Sequence, residues 1–364
     1  MPDKMLRIGI LGAARIAGRA LIEPARELPS ATIAAVAARG KARADAFALQ
    51  HGIPAAYGSY EELLSDPAID AVYIPLPNAL HALWTLRAIE AGKHVLCEKP
   101  FTSNAAEAEE VRRASDKSGL IVMEAMHYRY HPLARRMAAL IADGAIGTPR
   151  HVQCWTCWPV SDPGDIRYSY DMAGGALMDG GCYAIDCLDL VGLSGPTVTG
   201  ALAAPVGDTG ADADVDRTMA ARVTSPHDGL TGWFESAFTR GGDFRADVYV
   251  TGDGGSLWLH NFVLAHEGSL SLFPNDAGDS PAAVLAREDA ASGDGGLANE
   301  GLDADGMERG AGATTFAYQL RAFTAAVSDG APFDTTVEHA LSTMRVIDDT
   351  YRAAGLPPRG SAAK

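Results

Sequence analysis

The sequence predicts an α/β protein in two parts. The first is a doubly wound parallel sheet with helices on both faces; the second is an α+β domain on an open-faced, mostly antiparallel sheet. Three features lead there. Up to about residue 126, short apolar runs alternate with helical stretches, as βα repeats do. The first apolar run passes straight into Gly12 and a turn that opens a helix. After His131-Pro132 the alternation gives way to extended segments broken by turns such as Asp253-Gly254-Gly255. A chain of 364 residues is long for one domain and comfortable for two, so we divide it at 1–126 and 127–364.

In the first part, strands are read at Leu6–Leu11, Thr32–Ala38, Ala71–Pro75, His94–Glu98 and Leu120–Glu124. Helices are read at Arg15–Leu28, Lys41–His51, Tyr60–Ser65, Asn78–Ala91 and Ala105–Ser118. Asn78 and Asn104 are placed as N-caps, Gly92 and Gly119 as helix stops. In the second part, a helix over Leu133–Ala142 ends at Gly144, and an aromatic strand covers His151–Trp158. A Gly/Asp/Pro loop then leads to a helix over Gly175–Val191, and several extended segments lie between Thr197 and Phe273. Residues 275–309 carry nine acidic and two basic side chains and read as a solvated, mobile surface loop, with 205–216 a smaller copy. Two closing helices, Thr314–Ser328 and Thr336–Ala354, show apolar spacing of three and four (Phe316, Leu320, Phe323, Val327) and seal core near the domain junction.

Composition narrows the function. An apolar fraction of 47% with 21% charged residues is that of a folded protein with mass for more than one core. A net charge of −16 argues against an electrostatic surface for nucleic acid or anionic membrane. No apolar run reaches the roughly 18 residues of a spanning helix. Lys4 and Arg7 before an apolar stretch look faintly like an export signal, but Arg15 and Arg19 interrupt it. Five cysteines, an odd number, suit a reducing compartment, so the expected location is cytoplasmic. Cys154 and Cys157 would point to opposite faces of a strand, and no histidines cluster with them; no metal site is expected.

Strand one runs into Gly12-Ala13-Ala14-Arg15-Ile16-Ala17, close to the G-x-G-x-x-G/A fingerprint of dinucleotide-binding sites. The glycine serves a tight turn, and the helix that follows offers free N–H groups to a pyrophosphate. Gly12, Ala14, Arg15 and Ile16 are therefore assigned to a nucleotide. Strand two ends in Ala38-Arg39-Gly40-Lys41 with no acidic residue before Asp45. A carboxylate there would favour a ribose hydroxyl, whereas the Arg39 fork suits an extra phosphate, so NADP is expected, with NAD possible.

Further motifs join the fingerprint: Pro75-Leu76-Pro77-Asn78 with His81, Glu98-Lys99-Pro100, Glu124 with Tyr128-Arg129-Tyr130-His131-Pro132, and Gly174-Gly175-Ala176-Leu177-Met178-Asp179. In this order they resemble the glucose–fructose oxidoreductase / inositol dehydrogenase (Gfo/Idh/MocA) family, over roughly residues 5–275 and the closing helices. The resemblance implies a Rossmann domain, a nicotinamide cofactor, and hydride transfer at a carbinol or carbonyl of a sugar, polyol or cyclic diol. It adds Pro75, Asn78, His81 and Glu98 to the cofactor contacts, although His81 and His127 read first as structural histidines. Tyr183, four residues after Asp179, looks like the branch of NADP-dependent xylose dehydrogenases and dimeric trans-dihydrodiol dehydrogenases. Some relatives are redox-assisted glycosidases or dinucleotide-sensing regulators, and these stand as alternatives.

Lys99, Tyr183 and Asp179 are the expected catalytic residues. Asp179, Tyr183 and Asp186 share a helix face, expected to meet Lys99 in a cleft. Tyr183 would exchange the substrate hydroxyl proton, with the Lys99 ammonium favouring its phenolate and touching the reacting oxygen; Lys99 itself as donor is the variant of this scheme. Asp179 would accept from a neighbouring substrate hydroxyl. Arg167, Trp158 and Tyr128 are assigned to substrate, with Trp155 and Trp158 as an aromatic wall. A small-molecule substrate is the expected partner. An exposed sheet face normally finds cover, and the resemblance suggests a homodimer or dimer of dimers through the second sheet.

Overall fold

The computed structural model describes residues 5–208, 213–239, 241–242, 244–275 and 307–360. Most of the acidic stretch expected as a loop, residues 276–306, lies outside them, as do residues 209–212 of its smaller copy.

The first sheet has six parallel strands: β1 (Leu6–Leu11), β2 (Ala31–Ala37), β3 (Ala55–Tyr57), β4 (Ala71–Ile74), β5 (His94–Cys97) and β6 (Val122–Glu124). Their order is β3-β2-β1-β4-β5-β6. The order reverses beside β1, so the carboxyl ends of β1 and β4 flank the crevice where such sheets take ligands. Strand β3 was not anticipated, because three half-buried residues are too few to show alternation. Helices α2 (Lys41–His51), α3 (Tyr60–Leu64), α4 (His81–Glu90) and α5 (Ala105–Ser118) connect the strands. Between β1 and β2 the helix is wide over Gly18–Ile22 before its α-helical end α1 (Glu23–Arg26). Asn104 caps α5 by accepting from Glu107 N–H, as expected. Asn78 caps nothing: Pro77 stands before its short 3₁₀ turn, and the Asn78 amide donates to the Ala173 carbonyl instead.

After α6 (Pro132–Ala142) comes the second sheet: β7 (Pro149–Pro159), β8 (Thr197–Pro205), β9 (Asp216–Thr224), β10 (Thr231–Thr239), β11 (Arg245–Gly252), β12 (Gly255–His260), β13 (Ser269–Pro274) and β14 (Met307–Arg309). The order is β14-β13-β12-β11-β7-β10-β9-β8, antiparallel except between β7 and β10. Along β7 the alternation is clean, with Val152, Cys154 and Thr156 buried between half-buried neighbours. The inner face receives α7 (Cys182–Leu190), whose first seven residues are all buried. The wide turn Leu177–Gly181 precedes α7.

The closing helices are α8 (Thr315–Asp329) and α9 (Val337–Ala353). Helix α8 returns to the first sheet. Its Phe316, Leu320 and Phe323 share an apolar cluster with Ile8, Ile10 and Leu96. Helix α9 packs on α5, α7 and β8 and so ties the two sheets together.

One buried ion pair locks the loop before Asp179. Arg359, fully buried near the C-terminus, donates to the Gly174 carbonyl at 2.7 Å and to Asp216 Oδ1 at 2.7 Å, with Tyr351 OH on the same oxygen at 2.8 Å. Gly175 has φ +128, and a Cβ there would lie 2.1 Å from Asp216 Oδ1, so only glycine fits. Removing one partner of such a pair strands the other charge. Arg359→Ala is expected to lower unfolding free energy by about 3–5 kcal/mol, measured as a shift of the urea midpoint without a change in slope.

Candidate active site

Strand β5 ends at Cys97 and delivers Glu98 and Lys99 to the carboxyl edge of the first sheet. From the other side, the wide turn before α7 brings Asp179. The Lys99 ammonium lies 2.9 Å from Asp179 Oδ1 and 2.9 Å from the Asp179 carbonyl. Asp179 is the hub of the site: its Oδ2 also accepts from Arg167 Nε at 2.8 Å and from the Trp158 indole at 2.9 Å. Burial alone would push this carboxyl up, but Lys99 and Arg167 hold it far below the usual carboxylate range. Burial also works against the Lys99 charge, yet Asp179 keeps its ammonium above the ordinary value. Both groups are therefore ionised at neutral pH.

Tyr183 is one turn further along, 4% exposed. Lys99 Nζ sits 4.9 Å from the centre of its ring. The lysine and the tyrosine thus converge, but not as expected. The ammonium covers the ring face, while the hydroxyl turns to His127 Nε2 at 2.9 Å. Burial, then Glu98, Cys182 and Asp179, push the phenol well above its ordinary value. The expected lowering of this group is not what the surroundings produce. Tyr183 stands as a phenol.

Several assignments are corrected. Tyr128 does not face a substrate: it is fully buried, and its hydroxyl donates to Asp186 Oδ1. Asp186 does not line the cleft with Asp179 and Tyr183. It is enclosed by Tyr128, Arg129 at 3.2 Å and His339 at 2.5 Å. His81 is fully buried, with Nδ1 and Nε2 each 2.8 Å from a carbonyl, of Pro100 and Leu76; it braces two loops rather than reaching a cofactor. Trp155 and Trp158 are three apart on a strand and so point to opposite faces. Trp158 faces the site, 6.3 Å from Tyr183 and stacked on Phe244 at 6.0 Å. Trp155 packs on the outer face against Trp233. Arg167 reaches the site, but Asp179 and Asp165 engage its guanidinium. Glu98 lies beneath Lys99, accepting from Tyr73 OH at 2.5 Å and from the Lys99 backbone N–H at 3.3 Å.

The nucleotide turn fits a dinucleotide. Gly12 has φ +119, and a Cβ there would meet Leu76 at 2.8 Å. The turn closes through Ala14 N–H to the Gly12 carbonyl and Ala17 N–H to the Ala14 carbonyl. Arg15 is exposed, Ala14 and Ile16 half-buried, and Pro75 buried behind the turn. Arg39 is exposed at the end of β2. Beside it is a residue that sequence reading missed. Arg43, four residues on, donates to the Ala13 carbonyl at 3.1 Å. Both arginines act electrostatically on Tyr60. Asp45, the nearest acid in sequence, is taken by Lys41. The donor set is cationic, as an adenosine phosphate requires. The place of Arg43 in the first turn of α2, just after the end of strand two, was the available signal. Among the described residues, no cluster of three His, Cys, Asp or Glu is placed to hold a metal, and no helix is long and apolar enough to cross a membrane.

Comparison with known proteins gives the same picture. A family model described as an oxidoreductase family with an NAD-binding Rossmann fold matches residues 6–126, and the GFO/IDH/MocA C-terminal domain matches residues 134–258. The D-xylose 1-dehydrogenase (NADP(+)) 2 of Haloferax volcanii is 36% identical over 350 residues, covering 96% of this chain and 97% of the relative. A trans-1,2-dihydrobenzene-1,2-diol dehydrogenase of Xenopus laevis is 37% identical over 160 residues, 44% of this chain and 48% of its own length. The crystal structure of a 3-ketoreductase from Actinomadura kijaniata, in complex with NADP and TDP-benzene, superposes with a TM-score of 0.78 at 28% identity, covering 94% of this chain and 96% of that one.

The depressed Asp179 carboxyl fixes the sign of a pH effect. Its pairing stabilises the fold above the ordinary carboxylate range and is lost as pH falls toward the depressed folded value. Asp179→Asn is expected to cost about 2–4 kcal/mol at pH 7. In denaturant titrations the gap to wild type should shrink steadily below about pH 4.

Proposed function

Because the chain belongs to the Gfo/Idh/MocA oxidoreductase family, we propose that it transfers a hydride between NADP and a carbinol or ketone carbon of a sugar, polyol or cyclic diol. Residues 1–126 hold the nucleotide, and residues 127–364 supply the substrate side and the subunit contact. The observation that carries this reading is the Lys99–Asp179 ion pair at the carboxyl edge of β5, with the ammonium over the Tyr183 ring. The NADP-dependent xylose dehydrogenase and the NADP-bound ketoreductase support the cofactor and the reaction class; the dihydrodiol dehydrogenase keeps cyclic diols among the substrates.

The bound nicotinamide supplies or accepts the hydride; the chain's residues handle the proton. Held as a phenol by burial, Tyr183 gives its hydroxyl proton to a substrate carbonyl oxygen in reduction. In oxidation the same oxygen takes the proton of the substrate hydroxyl as a phenolate, and the ammonium over the ring favours that anion against the burial that opposes it. Asp179 keeps Lys99 charged and, with Arg167 and Trp158, fixes where it stands. Trp158 and Phe244 offer a flat apolar wall to a ring. Expected of the pure protein is turnover with NADP against a panel of aldoses, inositols, deoxy-keto sugars and trans-dihydrodiols. Lys99→Ala and Tyr183→Phe should each lose about 10²-fold or more in turnover while NADPH still binds; retained turnover in both would remove this reading.

Arg39 and Arg43 are proposed to hold the 2′-phosphate of NADP. Charge-assisted hydrogen bonds of about 1.5–3 kcal/mol convert to an expected 10–100-fold rise in the KM for NADP when both become Ala, with the KM for NAD little changed.

The outer face of the second sheet is read as a contact between copies. His151, Gln153, Trp155, Arg222 and Trp233 line a hollow of about 790 Å³ there, and Arg245 lies 3.9 Å over the Trp155 ring. A homodimer or dimer of dimers would cover it, and light scattering at micromolar concentration should give at least two chains. All five cysteines are free thiols, in keeping with a reducing, cytoplasmic setting.

A further inference from the structure

His127 has no part in the reading above, yet it holds the hydroxyl of Tyr183. Three elements meet at this point. His127 opens the 3₁₀ turn His127–Tyr130 just after β6, Tyr183 is on α7, and Thr315 opens α8. Their polar atoms form a line: Tyr183 OH to His127 Nε2 at 2.9 Å, and His127 Nδ1 to Thr315 Oγ1 at 2.9 Å. All three side chains are buried. Phe316 lies against the imidazole, ring centres 4.0 Å apart, and restrains its plane.

We propose that His127 is a positioning residue for Tyr183: Thr315 donates to Nδ1, His127 carries its proton on Nε2 and donates to the tyrosine oxygen, and the phenol's own proton is left for the substrate. This rests on Tyr183 being the proton-transferring group. A neutral imidazole has one N–H, so the two ring nitrogens cannot both donate. Burial, with Lys99, Arg19 and His266 nearby, keeps His127 neutral. With the proton on Nδ1, the ring would accept the phenol's hydrogen and turn it away from the cleft. It would also face a phenolate with a lone pair. With the proton on Nε2, the ring donates to the phenol and to the phenolate alike. The balance is simple. In reduction the phenol proton moves to the substrate oxygen and the Nε2–H stays on the imidazole, stabilising the anion left behind. In oxidation the substrate hydroxyl proton returns to that anion. No proton travels through His127. The groups facing Tyr183 otherwise divide: Glu98, Cys182 and Asp179 disfavour the anion, while Arg19 favours it, as does the Lys99 ammonium over the ring.

The test is kcat/KM against pH in the oxidative direction for His127→Leu, His127→Gln, Thr315→Val and Thr315→Ser, with and without Tyr183→Phe, alongside NADPH affinity. Loss of a hydrogen bond to an anion should move the apparent pKa of the rising limb up by about one unit in His127→Leu. Thr315→Val should move it the same way, with Thr315→Ser and the amide of His127→Gln restoring much of the shift. NADPH affinity should stay within about twofold of wild type, and His127→Leu should add nothing in the Tyr183→Phe background. An unmoved profile in both His127→Leu and Thr315→Val, or an equal loss with and without Tyr183, overturns the proposal. If His127→Leu does not fold, the Thr315 pair decides alone. Wild-type turnover in Tyr183→Phe would instead topple the earlier reading of the tyrosine, and this inference with it. An inactive Tyr183→Phe beside an unmoved His127→Leu profile removes this inference only.

Discussion

A carboxylate buried between two sheets has to be paired, and Asp179 is the point at which this protein meets that requirement. Its oxygens take a lysine from the end of the first sheet, an arginine from the loop before α7, and an indole from β7 of the second sheet. Charges removed from water cost several kcal/mol each unless they are matched in place, so these partners are restrained together rather than separately. The consequence is geometric. Lys99 cannot swing away from the Tyr183 ring without giving up its bond to Asp179 Oδ1, and the ammonium is held over that ring.

The remainder of the fold keeps that hub fixed from behind. The loop entering the wide turn is held by Arg359 through the Gly174 carbonyl, and Asp216 takes the Leu177 N–H at 2.7 Å while it neutralises the arginine. Helix α8 covers the first sheet and carries Thr315 to His127. The two closing helices therefore do more than seal apolar surface. One brings a hydroxyl to the imidazole behind Tyr183, and the other sends His339 to Asp186.

Local patterns in the sequence carried the first sheet far. Five of its six strands and the intervening helices are within a residue or two of where alternation and capping placed them, because buried parallel strands read as continuous apolar runs. The face a polar residue presents was legible for Lys99, Asp179, Arg167 and Trp158, which do meet, but not for others. Tyr128 and Asp186 carry the residue types of an active site, but their partners, Arg129 and His339, come from a turn and a helix far apart in the chain. No spacing rule reveals such a contact. Trp155 was misplaced for a different reason: the odd-spacing rule that separates Cys154 from Cys157 separates Trp155 from Trp158 equally, so the signal was there. Arg359 gave no warning, since a lone arginine near a chain end is usually solvated.

The two carboxylates of the Asp179–Asp186 helical stretch show how the surroundings divide labour. Asp186 is deeper, and burial raises it, but Arg129 and His339 more than offset that and hold it low. His339 and Arg129 also act on its neighbour Glu124, but they do not offset its burial. Burial, then the charge of Asp186, lift it to about 7, and its Oε2 has no hydrogen-bond partner among the described residues. The same cations thus act on both acids, and only at Asp186 do they outweigh burial. Asp179 has cations of its own, Lys99 just beyond the end of β5 and Arg167 in the loop before α7. Two acids seven residues apart can then both remain ionised in one buried segment, the first paired with Lys99 and Arg167, the second facing the core where it fastens α9 to the turn that carries His127.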